Sequence, residues 1–321
     1  MRRTTSALLA AFAALGISAA ADAQLVPERE FYGVNRPIPM RVDVPEGAAG
    51  EVEIHLLAPV SAEAVETASA EAGRVDLSTL FPVLWTRPNP TLLYAQLVVG
   101  GAKVGPAVVL SPMLTPRNAV AQGREISWSA EQGRIHSGLR AWTDRHVVFE
   151  TTAGEMEFAM RPDQAPNTVL NLISLAEGGY YTDIIVHRII PEFVIQFGDP
   201  TGFGSGGPGY QFDLERSTLP HDFGVISMAR TADPDSNGSQ VFVCLTRERT
   251  QALDGAYCAF GQLVRGDQAV LDIAGAELED PRAGRPANPP VITGAHTVPA
   301  PPYGDGPAPL ARPADTSGDN R

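Results

Sequence analysis

The stretch from Ile184 to Pro200, IIVHRIIPEFVIQFGDP, constrains this chain more than any other, because it places an arginine and a glutamine inside two short apolar segments around one turn. Ile184 to Ile190 is β-branched and apolar except for His187 and Arg188, the pattern of a strand buried on both faces, and Pro191 ends it. After the turn, Phe193, Ile195 and Phe197 fall on one face at period two, and Val194, Gln196 and Gly198 on the other. That alternation sets Gln196 beside Arg188. A guanidinium within an apolar strand is costly unless its donors are satisfied, so Arg188 is expected at the mouth of a pocket with polar company.

Residues 1–23 carry two arginines, an apolar run from about Ala7 to Ala20 and Ala21-Asp22-Ala23 before Gln24, which reads as a secretory signal peptide. The run is too short for a membrane span, and no later stretch approaches the roughly 20 residues a span needs. The expectation is a soluble, unanchored protein that is exported, periplasmic or secreted. The formal charge of −13, with no basic cluster, argues against nucleic acid or an anionic membrane as partner. Cys244 and Cys258 each lie in an apolar segment, which favours two buried thiols over one disulfide.

The 321 residues suit two domains. From 24 to 120 the chain breaks into short β-rich pieces at Pro39 to Val44, Glu51 to Leu57, Leu92 to Val99 and Val104 to Leu110. Glycine, proline and asparagine clusters such as Pro45-Glu46-Gly47 separate them, so a small antiparallel sandwich is expected. Alanine and glutamate at Ser61 to Ala72 predict a helix there. The aromatics Tyr32, Phe81, Trp85 and Tyr94 read as core, and this domain shows no chemistry of its own. Residues 121–143 read as a linker.

A second domain then spans 144–298. His146 to Thr151 and Glu155 to Met160 flank a glycine turn and predict a hairpin. Pro166 opens a helix with Val169, Leu172, Ile173 and Ala176 inward, and Gly178-Gly179 closes it. A second helix is expected after Asp267, with Val270, Ile273 and Ala274 facing the core, and a last strand at Val291 to Val298. Residues 299–321 are rich in Pro, Gly, Asp and Ala, with little that is large and apolar beyond Tyr303 and Leu310, and predict a disordered tail.

Other strings fail on context. Gly202, Gly204 and Gly207 spell GxGxxG, but Pro208-Gly209 follows where a helix must begin. Asp233, Asp235, Asn237 and Gly238 resemble the start of a calcium loop, yet the twelfth position is Cys244. The six histidines show no metal-ligand spacing, and no serine sits in a nucleophile elbow. No cofactor or metal is called for. What remains is a pocket, an arginine and several aromatics, an inventory that fits a reaction in which no stable covalent bond breaks.

The ordered strings PDQAPNTVLNLISLAEGGYY, VHRIIPEFVIQFGDPTGFGSGGPGY, FGVISMAR, NGSQVFV, LDG and AFGQLV, all within 144–298, resemble the cyclophilins, the cyclosporin-binding class of peptidyl-prolyl cis-trans isomerase. The resemblance covers nearly half the chain and does not reach the N-terminal region. It implies a mainly β fold, a closed eight-stranded antiparallel barrel capped by two helices, here preceded by the small β-rich sandwich. It puts the catalytic arginine at Arg188, with His187 beside it, and the proline pocket at Phe193, Val194, Phe242 and Leu253. Gln196 and Gln240 fall where polar residues orient the arginine and the peptide. Ala229-Arg230 matches the segment that pairs through its backbone with the residue before the proline, and Gly204 lies in the loop bordering the site.

This sequence departs from the family pattern at four places. Ala252 stands where many members have the tryptophan that contacts cyclosporin, so weak binding of that drug is expected. Val194 replaces a methionine, Tyr257 a histidine at the pocket floor, and Arg230 an asparagine. The implied partners are proline-containing peptides or unfolded exported proteins. The competing reading is a non-catalytic proline-peptide-binding or chaperone module, and the joint presence of Arg188, Gln196 and Phe242 argues against it.

Overall fold

The computed structural model describes residues 24–44, 49–123, 125–130 and 133–313. The signal peptide expected at 1–23 and the turn at Pro45-Glu46-Gly47 lie outside the described residues. No helix among the described residues is long and apolar enough to cross a membrane. The chain divides into two units. Of the described residues, one holds those from 24 to 115, with 134–144 and 299–306; the other holds those from 116 to 133, with 145–298 and 307–313.

In the first unit, Gln24–Pro27, Pro39–Asp43 and Gly73–Asp76 form a three-stranded sheet. A seven-stranded sheet is built outward from Leu93–Val99, which pairs with Val52–Leu57 on one side and Val108–Leu114 on the other. Leu25, Met40 and Val42 of the small sheet share a core with Ile54, Leu56, Leu97 and Leu110 of the large one. The helix expected over Ser61 to Ala72 is not formed. Ala64–Ser69 is an edge strand, with Ala68 opposite Ile54. Pairing with the Val52–Leu57 edge overrides the local preference of alanine and glutamate for helix.

Two further expectations are corrected. The presumed linker at 121–143 contains most of a hairpin, Ala119–Gln122 with Glu125–Trp128, which belongs to the second unit. It also contains the strand His136–Thr143, which pairs with Val108–Leu114 in the large sheet of the first. The tail is ordered through residue 313. Tyr303 stacks on Tyr94 at 3.6 Å and donates its amide to Gln96 Oε1. Leu310 donates its amide to the Leu263 carbonyl, and Arg312 grips both oxygens of Glu192. The two large apolar residues of an otherwise polar segment are its anchors.

The second unit is built on a nine-stranded curled sheet. Its order is Ile184–Ile185, Val291–Pro299, Arg145–Thr151, Gly154–Met160, Ala259–Arg265, Val225–Met228, Val241–Cys244, Val194–Phe197 and Arg188–Ile190. A closed eight-stranded barrel is therefore not what the pairing describes, because the two edge strands do not pair. They are instead consecutive pieces of one segment, separated only by Val186 and His187. Val186 donates to the Pro290 carbonyl and Ile189 to that of Gly284, so the single strand expected from Ile184 to Ile190 is divided between two neighbours.

Helices Pro166–Glu177 and Asp267–Ala274 both pack on the core of this sheet, through Val169, Leu172, Ile173, Ala176, Val270 and Ile273. The first has no capping side chain at Ala165. Glu215 supplies the cap, its carboxylate accepting from the Asn167 and Thr168 amides at 3.2 and 2.7 Å. Phe149 sits edge-on against Phe158, Tyr181 and Phe197, with ring centroids 5.9, 5.3 and 5.1 Å away. This aromatic cluster makes a rigid floor beneath the strand that carries the site.

Candidate functional site

The register of the sheet assembles the site. Arg188 faces Gln196, Gln196 faces Phe242, and Phe242 faces Ser227, a row of four residues across four adjacent strands. Directly opposed residues share a face of a sheet, so the strand register aligns guanidinium, amide and ring. Gly198 then turns the chain away at φ +97, and a Cβ there would lie 2.2 Å from the Ser239 carbonyl oxygen.

Arg188 Nη1 donates to Gln196 Oε1 at 3.1 Å, and Gln196 Nε2 donates to Gln240 Oε1 at 3.0 Å. Gln240 Nε2 in turn donates to the carbonyls of Gly204 and Gly206 at 3.0 and 2.9 Å. One polar chain thus runs from the arginine to the glycine-rich loop, fixing the guanidinium and leaving most of its donors free. The expectation that Arg188 has polar company is met.

Beside Arg188 lies a pocket of about 130 Å³, bounded by Phe193, Val194, Phe242, Leu253 and Tyr257, with Gln196, Ala229 and Arg230 at its rim. This is far below the roughly 300–1,000 Å³ of drug-sized sites, so it takes one small apolar group. Val194 and Phe242 are buried and pack with Leu219, Val225, Cys244 and Ala259. Phe193 packs against this same cluster rather than lying with Ile195 and Phe197 in the main core. It precedes the strand, in the turn closed by its amide on the Ile190 carbonyl, so the alternation begins one residue later than expected.

Not every residue expected in the site lines this pocket. Gly204 and Gln240 line an adjoining space of about 620 Å³ under the glycine-rich loop. Ala252 is exposed and lines neither. His187 turns beneath the loop, its two ring nitrogens shut off from solvent and without hydrogen-bond partners. Burial pushes its pKa below the usual histidine value, and the neighbouring Arg188 charge acts in the same direction against the attraction of Asp199. His187 is therefore a neutral wedge under the loop.

Asp199 anchors that loop. Burial opposes its ionisation, but amides of Gly206, Thr201 and Gly204 and the Thr201 hydroxyl outweigh burial and hold its pKa down at about 2. A Cβ on Gly206 would meet Asp199 Oδ1, so the loop closes on the carboxylate without room for a side chain.

One network had no signal in the sequence. His221 Nδ1 donates to Asp254 Oδ1 and Ser227 Oγ donates to His221 Nε2, each at 3.0 Å, while the imidazole stacks on Phe242 with centroids 6.0 Å apart. His221 and Ser227 are six residues apart, but Asp254 is 33 residues from His221, and only the fold joins it to them. The set has the make-up of a hydrolase triad, but Ser227 and His221 are wholly buried behind Phe242. It supports the pocket wall and has no path to substrate. Cys244 and Cys258 are free and buried, with thiol pKa values pushed up by burial. No cluster of three or more potential metal ligands occurs among the described residues.

The sequence model of the cyclophilin-type peptidyl-prolyl cis-trans isomerases matches residues 146–297. A peptidyl-prolyl cis-trans isomerase of Synechococcus elongatus is 41% identical over 116 residues, covering 36% of this chain and 78% of that protein. The isomerase ppi1 of Schizosaccharomyces pombe is 44% identical over 126 residues, covering 38% and 79%. An isomerase-like 2 protein of Cryptococcus neoformans is 37% identical over 156 residues, 46% of this chain, but the match spans only 26% of that longer protein. Among solved structures, a cyclophilin-type isomerase of Cryptosporidium parvum, determined in the presence of the dipeptide Ala-Pro, is 31% identical, with a TM-score of 0.45 and coverage of 48% of this chain and 98% of that one. With a relative more than 40% identical matched over three quarters of its length, the chain belongs to the cyclophilin-type peptidyl-prolyl cis-trans isomerase family.

Proposed function

We propose that this protein accelerates cis-trans rotation about X-Pro bonds, with Arg188 as the catalytic residue. The observation that carries this reading is a fixed guanidinium at the rim of a pocket that holds one small apolar group. Rotation about a peptide bond costs about 18–20 kcal/mol because the nitrogen lone pair is delocalised into the carbonyl. A donor aimed at the prolyl nitrogen as it pyramidalises localises that pair and binds the twisted amide better than either planar isomer. Phe193, Val194, Phe242 and Leu253 grip the pyrrolidine ring while the acyl side turns. Gln196 and Gln240 keep the arginine in place, and the glycine-rich loop borders the path of the peptide. No proton transfer, nucleophile or metal enters the cycle.

The substrates in this reading are unfolded exported proteins, supported by the leader-like composition of residues 1–23. X-Pro exchange takes on the order of tens to hundreds of seconds unaided, slow enough to limit their folding. With Ala252 at the exposed position beside Leu253, cyclosporin binding is weak. Exchange spectroscopy on a short Ala-Pro peptide tests the activity. Catalysed exchange at substoichiometric protein supports it; a peptide that binds without faster exchange makes the site a recognition module.

A further inference from the structure

The two cavities of the site adjoin, with Gln196, Ala229 and Arg230 forming the wall between them. Arg230 is therefore a second arginine at the site, lining the small pocket together with Arg188. Its position is fixed: Nε and Nη2 donate to the Ala256 carbonyl at 3.2 and 2.9 Å, and Nη1 to that of Thr231 at 2.9 Å. Its Cζ lies 4.6 Å from the Tyr257 ring centroid. A guanidinium has five N–H donors, so these three contacts leave two for a ligand.

Charge at the site runs against the rest of the molecule. The chain carries −13, yet neither cavity is lined by an aspartate or glutamate, while Arg230 lines both and Arg188 the smaller. The nearby acids are committed elsewhere. Asp199 accepts from the glycine-rich loop, Asp233 from the Asp235 amide, and Asp235 from the Leu214 amide. A peptide seated by its proline ring in the small pocket has to lay a neighbouring residue along the wall between the cavities.

We propose that Arg230 is a specificity-determining residue, selecting proline segments that carry an aspartate or glutamate within two residues of the proline. This rests on the isomerase reading for the identity of the ligand and adds the charge class of its flanking residues. The carboxylate takes the two free donors of the guanidinium, and the polar glycine and serine lining of the larger cavity includes no carboxylate of its own. Lysine at the same place meets a fixed cation and is disfavoured.

The test uses blocked peptides with one central proline and glutamate, glutamine or lysine at each of the two positions before and after it. Catalysed exchange and binding are both measured by NMR. At one or more positions the glutamate peptide exceeds its glutamine twin in kcat/KM by about fivefold, the ratio given by an ion pair worth about 1 kcal/mol. Lysine falls below glutamine, and the preference shrinks at high ionic strength. In Arg230→Gln the glutamate-to-glutamine ratio drops to about one, and Arg230→Lys retains part of it. Because each ratio is internal to one protein, a general loss of activity does not mimic the result. Equal turnover of the three peptides at all four positions overturns the proposal, as does a preference that survives in Arg230→Gln. If no peptide is turned over, the isomerase reading fails, and the ratio of dissociation constants decides the acid preference on its own.

Discussion

Arg188 and Gln196 are cross-strand partners, and the guanidinium Nη1 donates to the amide Oε1 at 3.1 Å. The amide then donates to Gln240 at 3.0 Å, so the arginine is oriented from two strands away. An arginine held by a neutral acceptor keeps its full positive charge available, whereas a carboxylate partner would compete with the twisted amide.

The polar chain acts as a unit. Gln196→Ala is expected to lower kcat/KM by about tenfold, through kcat more than KM, because it releases the guanidinium without removing the pocket. Gln240→Ala acts in the same direction, and the double variant loses less than the product of the two. Steady-state kinetics on the four proteins checks this; independent, multiplicative losses contradict a shared chain.

Acid destabilises the fold through buried imidazoles. Burial lowers the pKa of both His187 and His221 below 6.5, so each is neutral when folded and the unfolded chain takes up protons first as pH falls. Stability from these groups is complete above about 6.5 and declines below it. The urea midpoint is expected to fall between pH 7 and pH 5, with a shallower fall in His221→Asn. An unchanged midpoint over that range contradicts the assignment.

Asp199 has the opposite sign. Its folded pKa of about 2 lies below the ordinary 3.8, so its contribution is present above about pH 3.8 and is lost as pH falls toward 2. The difference amounts to about 2 kcal/mol. Asp199→Asn at pH 7 is expected to lose a similar amount and to raise amide exchange at Gly204 and Gly206. Unaltered exchange in the loop contradicts an anchoring role.

The position of Ala252 is testable by gain. Ala252→Trp puts an aromatic next in sequence to Leu253, which lines the small pocket, and is expected to tighten cyclosporin at least tenfold, as an aromatic anchor does in other interfaces. Fluorescence of the new tryptophan on titration reads it directly, and unchanged affinity shows that the exposed 252 position does not reach the drug.

The pairing of Arg188 with Gln196 was legible because period two and a proline-marked turn leave only one register that buries the apolar residues. The helices were legible for the same kind of reason: Pro166, the glycine pair at 178–179 and the inward apolar positions agree with one another. What was not legible depended on partners distant in sequence. Ala64–Ser69 is a strand only because Val52–Leu57 offers an edge, and Tyr303 orders its segment only because Tyr94 is there to receive it. The Ser227, His221 and Asp254 network, likewise, has no local pattern. That Arg230 lines both cavities depends on the Ala256 carbonyl that holds its guanidinium, 26 residues along the chain, which no local spacing reveals.

The central claim is that Arg188 stabilises the twisted amide. The most direct measurement is catalysed cis-trans exchange of an Ala-Pro peptide by the wild type, Arg188→Ala and Arg188→Lys, with peptide affinity measured in parallel and folding matched by circular dichroism. The expected result is a loss in kcat of about 10²-fold or more for alanine, a smaller loss for lysine, and nearly unchanged peptide affinity. Full exchange activity in Arg188→Ala, with its fold intact, would contradict the account.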